Sequence, residues 1–288
     1  MATIVDVARL AGVTPTTVSR VINNRGYISE KTKKRVHEAM DELGYQPNEI
    51  ARSLTKQKSN TIGVIVPHIS HPYFAKLISN LENEAAKKDY KIILCNSKEK
   101  AEKEKQYLDM CKSNRVAGII ICSGNVESNK INTGGIPVVL LEKNFEEGKL
   151  GIQCDNYQGG KLATEHLIEC GCKKILHLSG VIDEEMPADN REKAFIDVCS
   201  KNEIEYFIKK YDIDTYNQMN YYDYIKAALN EIEGVDGIFA SSDLIAAQVI
   251  QVCNEIKIRI PEDIKLVGFD DVDISQLTTP RITTVHQP

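Results

Sequence analysis

Residues 3–23 read TIVDVARLAGVTPTTVSRVIN, and this stretch decides the fold of the N-terminal region. Thr3 and Asp6 form a capping-box pair that begins a first helix, and Gly12 is placed to end it. Thr14-Pro15 then supplies the N-cap and the first helical residue of a second helix. Two short helices separated by so few residues predict a helix-turn-helix.

The second helix, predicted over residues 15–22, directs its valines inward and leaves small polar side chains and Arg20 exposed. An exposed arginine on such a helix can read guanine in the major groove of DNA. A third helix is predicted over residues 29–43, which completes an all-α head. The same pattern also fits a three-helix bundle that binds another protein.

Basic residues are concentrated in this head. Residues 1–60 contain ten Lys and Arg residues and six Asp and Glu residues, whereas the whole chain of 288 residues has a formal net charge of −5. A basic head on an acidic body is expected where one small domain contacts phosphate. A random excess of surface lysine is the alternative explanation of the charge alone.

A short helix is also predicted between the head and the rest of the chain. Residues 48–54 can form it with Asn48 as the N-cap, and the polar run 55–60 follows. Seven residues are too few to hold a helix alone in water, so this segment is expected to order only against a partner. Folding on contact would couple the geometry of the body to the affinity of the head for DNA.

Five motifs in this region resemble the LacI/GalR family of bacterial transcription regulators. They are IVDVA at 4–8, AGVT at 11–14, TVSRV at 17–21, YQPN at 45–48 and ARSL at 51–54. The resemblance implies a homodimer whose two heads bind a pseudo-palindromic operator in double-stranded DNA. It also implies allosteric control by a small-molecule effector that binds between two lobes of the body.

The resemblance further implies which residues contact DNA. The residues that match base-facing positions are Pro15, Thr16 and Arg20, and those that match DNA-backbone contacts are Thr17, Ser19 and Asn23. Leu54 matches a hinge leucine that inserts into the minor groove and kinks the duplex. The hinge residues Asn48 and Arg52 complete the predicted DNA-binding set.

From residue 61 onward the chain alternates apolar strands with helices, which predicts parallel sheets covered on both faces. The length suits two doubly wound lobes with a cleft between them, and the resemblance implies the same periplasmic-binding-protein-like body. The fold class is therefore α/β, with an all-α helix-turn-helix head in front of a two-lobed body. The predicted limits are 1–47 for the head, 48–60 for the hinge helix and linker, 61–156 for the N-terminal lobe and 157–288 for the C-terminal lobe. One long helix is predicted over residues 218–232.

Polar residues that follow the predicted strands are candidates for the effector site, because ligands of open α/β sheets bind beyond the carboxyl ends of the strands. The candidates that match effector contacts of the family are Phe74, Glu142, Arg191, Ser242 and Asp270, and Tyr73 is included because it adjoins Phe74. An aromatic face with carboxylates and an arginine suits a sugar or a sugar phosphate. Tyr73 and Phe74 would also suit a flat purine.

Three nearby residues carry expectations of their own. Asp243 is predicted to cap a helix rather than to contact a ligand. For Arg191, a surface position paired with Asp189 or Glu192 is the alternative to a ligand contact. Ala194 stands where the family pattern has glycine, and this change is expected only to tighten local packing.

The chain ends at Pro288, where the family continues with a further helix and strands. The resemblance therefore implies a C-terminally truncated member: either the sequence is incomplete, or the body has an exposed sheet edge and reduced stability. An inactive fragment is accordingly an alternative to a working repressor.

Other classes of protein find little support. A Gly-x-Gly-x-x-Gly run after a strand, a Walker loop, Gly-x-Ser-x-Gly and His-Glu-x-x-His are all missing, so neither enzyme activity nor a metal or cofactor is predicted. No apolar run reaches the ~18–20 residues that a membrane span needs, and the N-terminus lacks the pattern of a secretory signal. The eight cysteines are scattered and are expected to be reduced, which predicts a cytoplasmic protein.

Overall fold

The structure is a computed structural model that describes residues 2–46, 59–122, 133–143, 150–181 and 186–288. The chain forms two compact units, Met1–Ser59 and Asn60–Pro288. No helix in the described ranges is both long enough and apolar enough to cross a membrane. The four predicted domain limits stay a prediction, because most of the hinge segment lies outside the described residues.

Three helices form the N-terminal unit, as predicted. They are α1 (Ile4–Ala11), α2 (Pro15–Ile22) and α3 (Glu30–Glu42). Each begins at a hydroxyl residue whose side chain accepts a hydrogen bond from the first turn, namely Thr3, Thr14 and Ser29. Val7, Val18 and Val36, one from each helix, are fully buried against one another in the core of the head.

Five parallel strands form the sheet of the N-terminal lobe, in the order β2-β1-β3-β4-β5. They are β1 (Thr61–Val66), β2 (Lys91–Asn96), β3 (Gly118–Ile121), β4 (Val138–Leu141) and β5 (Leu150–Ile152). The connecting helices are α4 (Pro72–Ala86) and α5 (Ala101–Ser113). Val64 and Val66 pack against α4 and Ile65 packs against α5, so this strand is apolar on both faces.

A second sheet of five parallel strands forms the C-terminal lobe, in the order β10-β9-β8-β6-β7. The strands are β6 (Lys174–Val181), β7 (Glu205–Tyr211), β8 (Gly237–Ala240), β9 (Lys265–Asp270) and β10 (Thr283–His286). The helices are α6 (Asn156–Glu169), α7 (Asn190–Lys201), α8 (Ile213–Gln218), α9 (Tyr222–Glu231), α10 (Asp243–Glu255) and α11 (Ile274–Leu277). Two doubly wound parallel sheets that follow a helical head along the chain confirm the predicted α/β fold class.

The single helix predicted over residues 218–232 is wrong. The chain ends α8 at Gln218, turns at Met219 with φ 55°, and begins α9 at Tyr222. A left-handed residue just after the last helical turn is a common helix ending, but a methionine gives no sequence signal for it. Strands β5, β7 and β10 were not predicted either, because the first and last are very short and β7 carries charged residues among its aromatic ones.

Candidate ligand-binding cleft and nucleic-acid interface

A cavity of about 140 Å³ lies between the two lobes of the body. In each sheet the strand order reverses about the first strand, since β1 lies between β2 and β3, and β6 lies between β7 and β8. Residues at the carboxyl ends of these strands line the cavity, including Pro67 and Cys122 in one lobe and Val181 and Ser241 in the other. The switch points of both sheets therefore meet at one place, which is where open α/β sheets bind ligands.

All six predicted effector residues line this cavity. The N-terminal lobe contributes Tyr73, Phe74 and Glu142, and the C-terminal lobe contributes Arg191, Ser242 and Asp270. The sequence analysis missed other lining residues, among them His71, Ser179, Asp189, Tyr211, Tyr216, Tyr221 and Gln287. The three tyrosines belong to β7, to α8 and to the turn before α9, which are the elements that the sequence analysis failed to predict. The role of the six residues as ligand contacts stays a prediction.

Arg191 lies in the first turn of α7, and its side chain is buried in the cleft wall. Its Nε donates a hydrogen bond to Asn156 Oδ1 at 2.8 Å, and its Nη1 donates to the carbonyl oxygen of Ser241 at 2.6 Å. The guanidinium carbon lies 3.5 Å from the centroid of the Phe269 ring, within the range of a cation–π contact. These three contacts hold the guanidinium at one fixed orientation beside the cavity.

The alternative position of Arg191, at the surface and paired with Asp189 or Glu192, is wrong. Asp189 accepts a hydrogen bond from the backbone N–H of Met186 at 2.7 Å, and Glu192 lies 3.1 Å from the ammonium of Lys210. The acidic neighbours of Arg191 in the sequence thus have other partners, because α7 turns the arginine toward α6 and β8. Which groups Arg191 contacts therefore depends on how the helices pack and not on the spacing of residues in the sequence.

Close packing of α6 on α7 brings Arg191 to the cleft. A Cβ atom added to Gly160 in α6 would lie 2.6 Å from the carbonyl oxygen of Arg191, which is too close for any side chain. Ala194, one turn further along α7, is fully buried in the same lobe. Its small side chain is consistent with the packing role expected for this position.

A buried amide joins the two lobes beside the cavity. Glu142 follows β4 with a left-handed backbone (φ 50°), and its carboxylate accepts hydrogen bonds from the backbone N–H of Cys154 at 2.5 Å and from Asn156 Nδ2 at 3.2 Å. The other end of the Asn156 amide, Oδ1, accepts from Arg191. Asn156 therefore contacts one predicted effector residue in each lobe, and no motif in the sequence singled it out.

Asp270 is the last residue of β9 and is nearly buried, with a backbone φ of 109°. Its Oδ1 accepts a hydrogen bond from Gln287 Nε2 at 2.6 Å. Burial raises the pKa of Asp270 to about 7, and the nearby charge of Arg191 offsets only part of this effect. A carboxylate in this state gains from any ligand that donates hydrogen bonds to it.

The prediction that Asp243 caps a helix is wrong, because the N-cap of α10 is Ser242. The Ser242 hydroxyl accepts a hydrogen bond from the backbone N–H of Ile245 at 3.3 Å. Asp243 is fully buried behind the cavity, where it accepts hydrogen bonds from the Val272 N–H at 2.9 Å and from the Thr284 hydroxyl at 2.5 Å. Burial raises the pKa of Asp243 to about 6. Asp243 thus ties α10 to β10 instead of ending the helix.

Aromatic rings flank the cavity in both lobes. The ring centroids of Tyr73 and Phe74, at the start of α4, lie 5.1 Å apart, and those of Tyr211 and Tyr221 lie 4.9 Å apart in the other lobe. His71 is the N-cap of α4, and its Nδ1 accepts a hydrogen bond from the backbone N–H of Tyr73 at 3.3 Å. Burial lowers the pKa of His71 to about 4, so this imidazole is uncharged at neutral pH.

Further hydrogen bonds between described residues connect the lobes away from Asn156, two of them between a nitrogen and an oxygen atom. His68 Nε2 lies 2.9 Å from Asn217 Oδ1, and Lys76 Nζ donates to the carbonyl oxygen of Asp271 at 2.5 Å. The His68 ring also contacts the edge of the Tyr216 ring, with centroids 5.2 Å apart. A change in the angle between the lobes would have to break or shift these contacts.

The candidate nucleic-acid interface is the outer face of α2. Pro15, Thr16 and Arg20 are exposed, and Thr17, Ser19 and Asn23 are half-buried. The Thr17 hydroxyl lies 3.0 Å from that of the N-cap Thr14, and Asn23 Nδ2 donates to the carbonyl oxygen of Ser19 at 2.8 Å. The base-facing candidates are thus the more exposed ones. The remaining predicted DNA contacts, Asn48, Arg52 and Leu54, lie outside the described residues.

Comparison with known proteins places this geometry in context. Residues 3–48 match the family "Bacterial regulatory proteins, lacI family", and residues 164–288 match "Periplasmic binding protein-like domain". The chain is 37% identical to a ribose operon repressor of Halalkalibacterium halodurans, over all of this chain and 86% of that protein.

Two solved structures are similar in sequence and fold. A periplasmic binding protein/LacI transcriptional regulator from Alkaliphilus metalliredigens QYMF, complexed with D-xylulofuranose, is 36% identical, with a TM-score of 0.71 over 80% of this chain and 85% of that one. The lac repressor dimer bound to operator and the anti-inducer ONPF is 25% identical, with a TM-score of 0.87 over 99% of this chain and 87% of that one.

Proposed function

Because the chain belongs to the lacI family of bacterial regulatory proteins, we propose that it represses a carbohydrate-utilisation operon and that a small carbohydrate controls it. One observation carries this proposal: the switch points of both sheets meet at a single polar and aromatic cavity. A ligand there contacts both lobes at once, so its binding energy depends on the angle between them. We assign the protein no enzyme activity and place it in the cytoplasm, where a regulator of this kind meets DNA.

On the DNA side, two copies of the chain bind a pseudo-palindromic operator through the outer face of α2. The exposed guanidinium of Arg20 can donate two hydrogen bonds to a guanine in the major groove, while hydroxyls of the same helix reach bases or phosphates. The hinge leucine Leu54 inserts into the minor groove, so Leu54→Ala weakens binding by reducing the kink. The operator-bound lac repressor dimer supports this arrangement.

On the effector side, the six predicted residues offer a ligand different kinds of contact. Tyr73 and Phe74 offer flat apolar surface to one face of a sugar ring, while Glu142 and Asp270 accept hydrogen bonds from its hydroxyls. Arg191 donates from a fixed orientation, which selects where a ligand oxygen is placed. Ser242 adds a hydroxyl at the start of α10.

Coupling between the two sites requires only a modest energy. A ligand that favours one angle between the lobes by ~1–3 kcal/mol changes operator affinity by roughly 5- to 150-fold. The contacts between lobes at Asn156, His68 and Lys76 are the ones that such a change of angle alters. The hinge segment, which its sequence predicts to order only against a partner, then transmits the difference.

The test has two stages and uses the full chain. Fragments of the source genome bound by the chain are selected and sequenced, and a palindrome shared among fragments beside carbohydrate genes is the expected result. Operator affinity is then measured with pentoses, hexoses, disaccharides, their phosphates and purine bases. If the bound fragments share no palindrome, the repressor assignment is wrong. If a purine binds most tightly, the carbohydrate assignment is wrong.

A further inference from the structure

The described wall of the cavity is rich in carboxylates and poor in cations. Glu142, Asp189 and Asp270 line it, and Arg191 is the only lining guanidinium or ammonium group among the described residues. The lining histidines His71 and His177 add no charge at neutral pH, because burial lowers the pKa of each to about 4. Because burial raises the pKa of Asp270 to about 7, this group carries only part of a negative charge at neutral pH. Among the described residues the wall still holds more negative than positive groups, since Glu142 and Asp189 lie beside a single guanidinium.

Arg191, the one guanidinium or ammonium group in the described part of the wall, is largely committed to the protein. Arg191 Nε and Nη1 each donate to a protein oxygen, and one face of the guanidinium lies on the Phe269 ring. The remaining N–H groups can serve one or two ligand oxygens, which is enough for a hydroxyl or an ether oxygen. A phosphoryl group has three strongly accepting oxygens and about two negative charges, and one partly used guanidinium does not match it.

Two lysines outside the described lining, Lys143 and Lys210, interact with carboxylates close to the wall. A fourth lining carboxylate, Glu99, and the buried Glu104 attract Lys143. Lys210 lies 3.1 Å from Glu192 Oε2. Neither ammonium group lines the cavity. They partly neutralise the surrounding acids but leave the balance at the ligand surface negative.

Helix N-termini are the usual alternative partners of phosphate, and four of the described helices begin beside this cavity. Each already carries its own group. At α9, whose N-cap Tyr221 lines the cavity, the Tyr222 N–H donates to Asn220 Oδ1 at 3.3 Å. At α4 the cap His71 accepts from the Tyr73 N–H, and Pro72 lacks an N–H. At α10 the Ser242 hydroxyl accepts from the first turn, which also holds the Asp243 carboxylate. At α7 the residue just before the helix is Asp189, whose negative charge opposes an incoming anion.

We propose that the cleft selects an uncharged sugar and excludes the phosphate ester and the acid of the same sugar. This inference rests on the proposed function and chooses between a sugar and a sugar phosphate, both of which the sequence motifs allow. The carboxylates accept hydrogen bonds from sugar hydroxyls, whereas a fully ionised phosphoryl group has no hydrogen to donate to them. An anionic ligand would instead place like charges close together, which is unfavourable.

The experiment measures paired ligands by isothermal titration calorimetry on the full chain. The panel contains D-ribose, D-xylulose and sucrose, each beside its phosphate ester and beside the methyl ether at the same carbon. The ether controls for added bulk without charge. We expect the ester of any sugar that binds to be at least about tenfold weaker than the ether.

A charge-removing variant sharpens the test. Asp189→Asn keeps the size of the side chain and one acceptor oxygen but removes a negative charge from the wall. The ratio of the ester's dissociation constant to that of the ether should therefore fall by about threefold or more. Asp263→Asn, which is exposed in the segment before β9 and lies outside the cavity, should leave this ratio of dissociation constants unchanged. If this ratio of dissociation constants is unchanged in a folded Asp189→Asn variant, the electrostatic explanation is contradicted.

The remaining outcomes separate the two proposals. An ester that binds more tightly than both its parent sugar and the ether overturns this inference and leaves the proposed carbohydrate control intact. A panel without any binder, on a chain that still binds its operator, overturns the carbohydrate control and this inference together. A purine base that binds where no sugar does has the same consequence.

Discussion

The head and the cleft obtain their candidate functional groups in opposite ways. In the head, six predicted DNA contacts lie between Pro15 and Asn23 on one helix, and all are exposed or half-buried. In the cleft, the six predicted effector residues extend from Tyr73 to Asp270, and Arg191, Ser242 and Asp270 are buried. A head residue can thus be removed at little cost to folding, whereas a cleft residue supports both the ligand site and the packing of its lobe.

The largest effect is expected where this double role is strongest, at Arg191. Arg191→Ala leaves Asn156 Oδ1 and the Ser241 carbonyl without their donor and opens a gap against Phe269. We expect it to lower the free energy of unfolding of the body by about 3–5 kcal/mol, measured by urea denaturation. Arg259→Ala removes an exposed ion pair with Asp263 and should cost about 1 kcal/mol or less. Equal losses in the two variants would show that the buried contacts of Arg191 contribute little.

The pH dependence of stability tests the cleft at Asp270. Its folded pKa of about 7 lies above the unfolded value near 3.8, so the native state binds the extra proton between these values. The stability contributed by this group is present below about pH 4 and is lost as the pH rises through 7. Asp270→Asn does not titrate, so relative to the wild type it should gain roughly 2–3 kcal/mol between pH 5 and pH 8.

An exposed carboxylate provides the control for this measurement. Hydrogen bonds from Arg259 lower the pKa of Asp263 to about 2, so Asp263 is ionised throughout the range from pH 5 to pH 8. Asp263→Asn should therefore leave the pH slope in that range unchanged. If Asp270→Asn and Asp263→Asn gave the same slope, the raised pKa of Asp270 would be wrong.

Substitution of a functional residue in the head should weaken DNA binding and leave stability nearly unchanged. Arg20→Ala is expected to weaken operator binding by about 1–3 kcal/mol and to relax base preference at one position in each half-site. Thermal unfolding should be nearly unaffected, because Arg20 is exposed. Lys34→Ala, which removes a positive charge from the exposed side of α3, serves as the charge-matched control. A parallel loss of specificity in both variants would assign Arg20 to general phosphate attraction.

The smallest effect concerns the cap that positions α2. Thr14→Ala removes the side-chain acceptor for the Thr17 N–H, which is 3.2 Å away, and should destabilise the head by about 1 kcal/mol. Thr14→Ser keeps the acceptor and should retain most of the stability, as followed by circular dichroism of the full chain. Identical losses in both variants would mean that the threonine methyl group, and not the cap, is what stabilises the helix.

Helix starts in the head were predicted correctly from sequence because each depends on residues three apart. Thr3, Thr14 and Ser29 all cap the helices assigned to them. The same type of argument failed at Asp243, where two adjacent polar residues competed for one cap and Ser242 took it. Local chemistry allows either residue, and the Val272 N–H and Thr284 hydroxyl that hold Asp243 are distant in the sequence.

The helical head, the alternation of strands and helices, and the edge of each sheet where polar residues gather can be predicted from local sequence. They follow from periodicity and from contacts within about one helical turn, which do not depend on the rest of the fold. Three-dimensional packing alone shows that Arg191 binds Asn156 and Ser241, that Asn156 joins the lobes through Glu142, and that Tyr211 and Tyr221 line the cleft. A buried polar group must take whichever partner packing brings within hydrogen-bond distance, and that partner is set by how the two sheets are assembled rather than by neighbours in the chain.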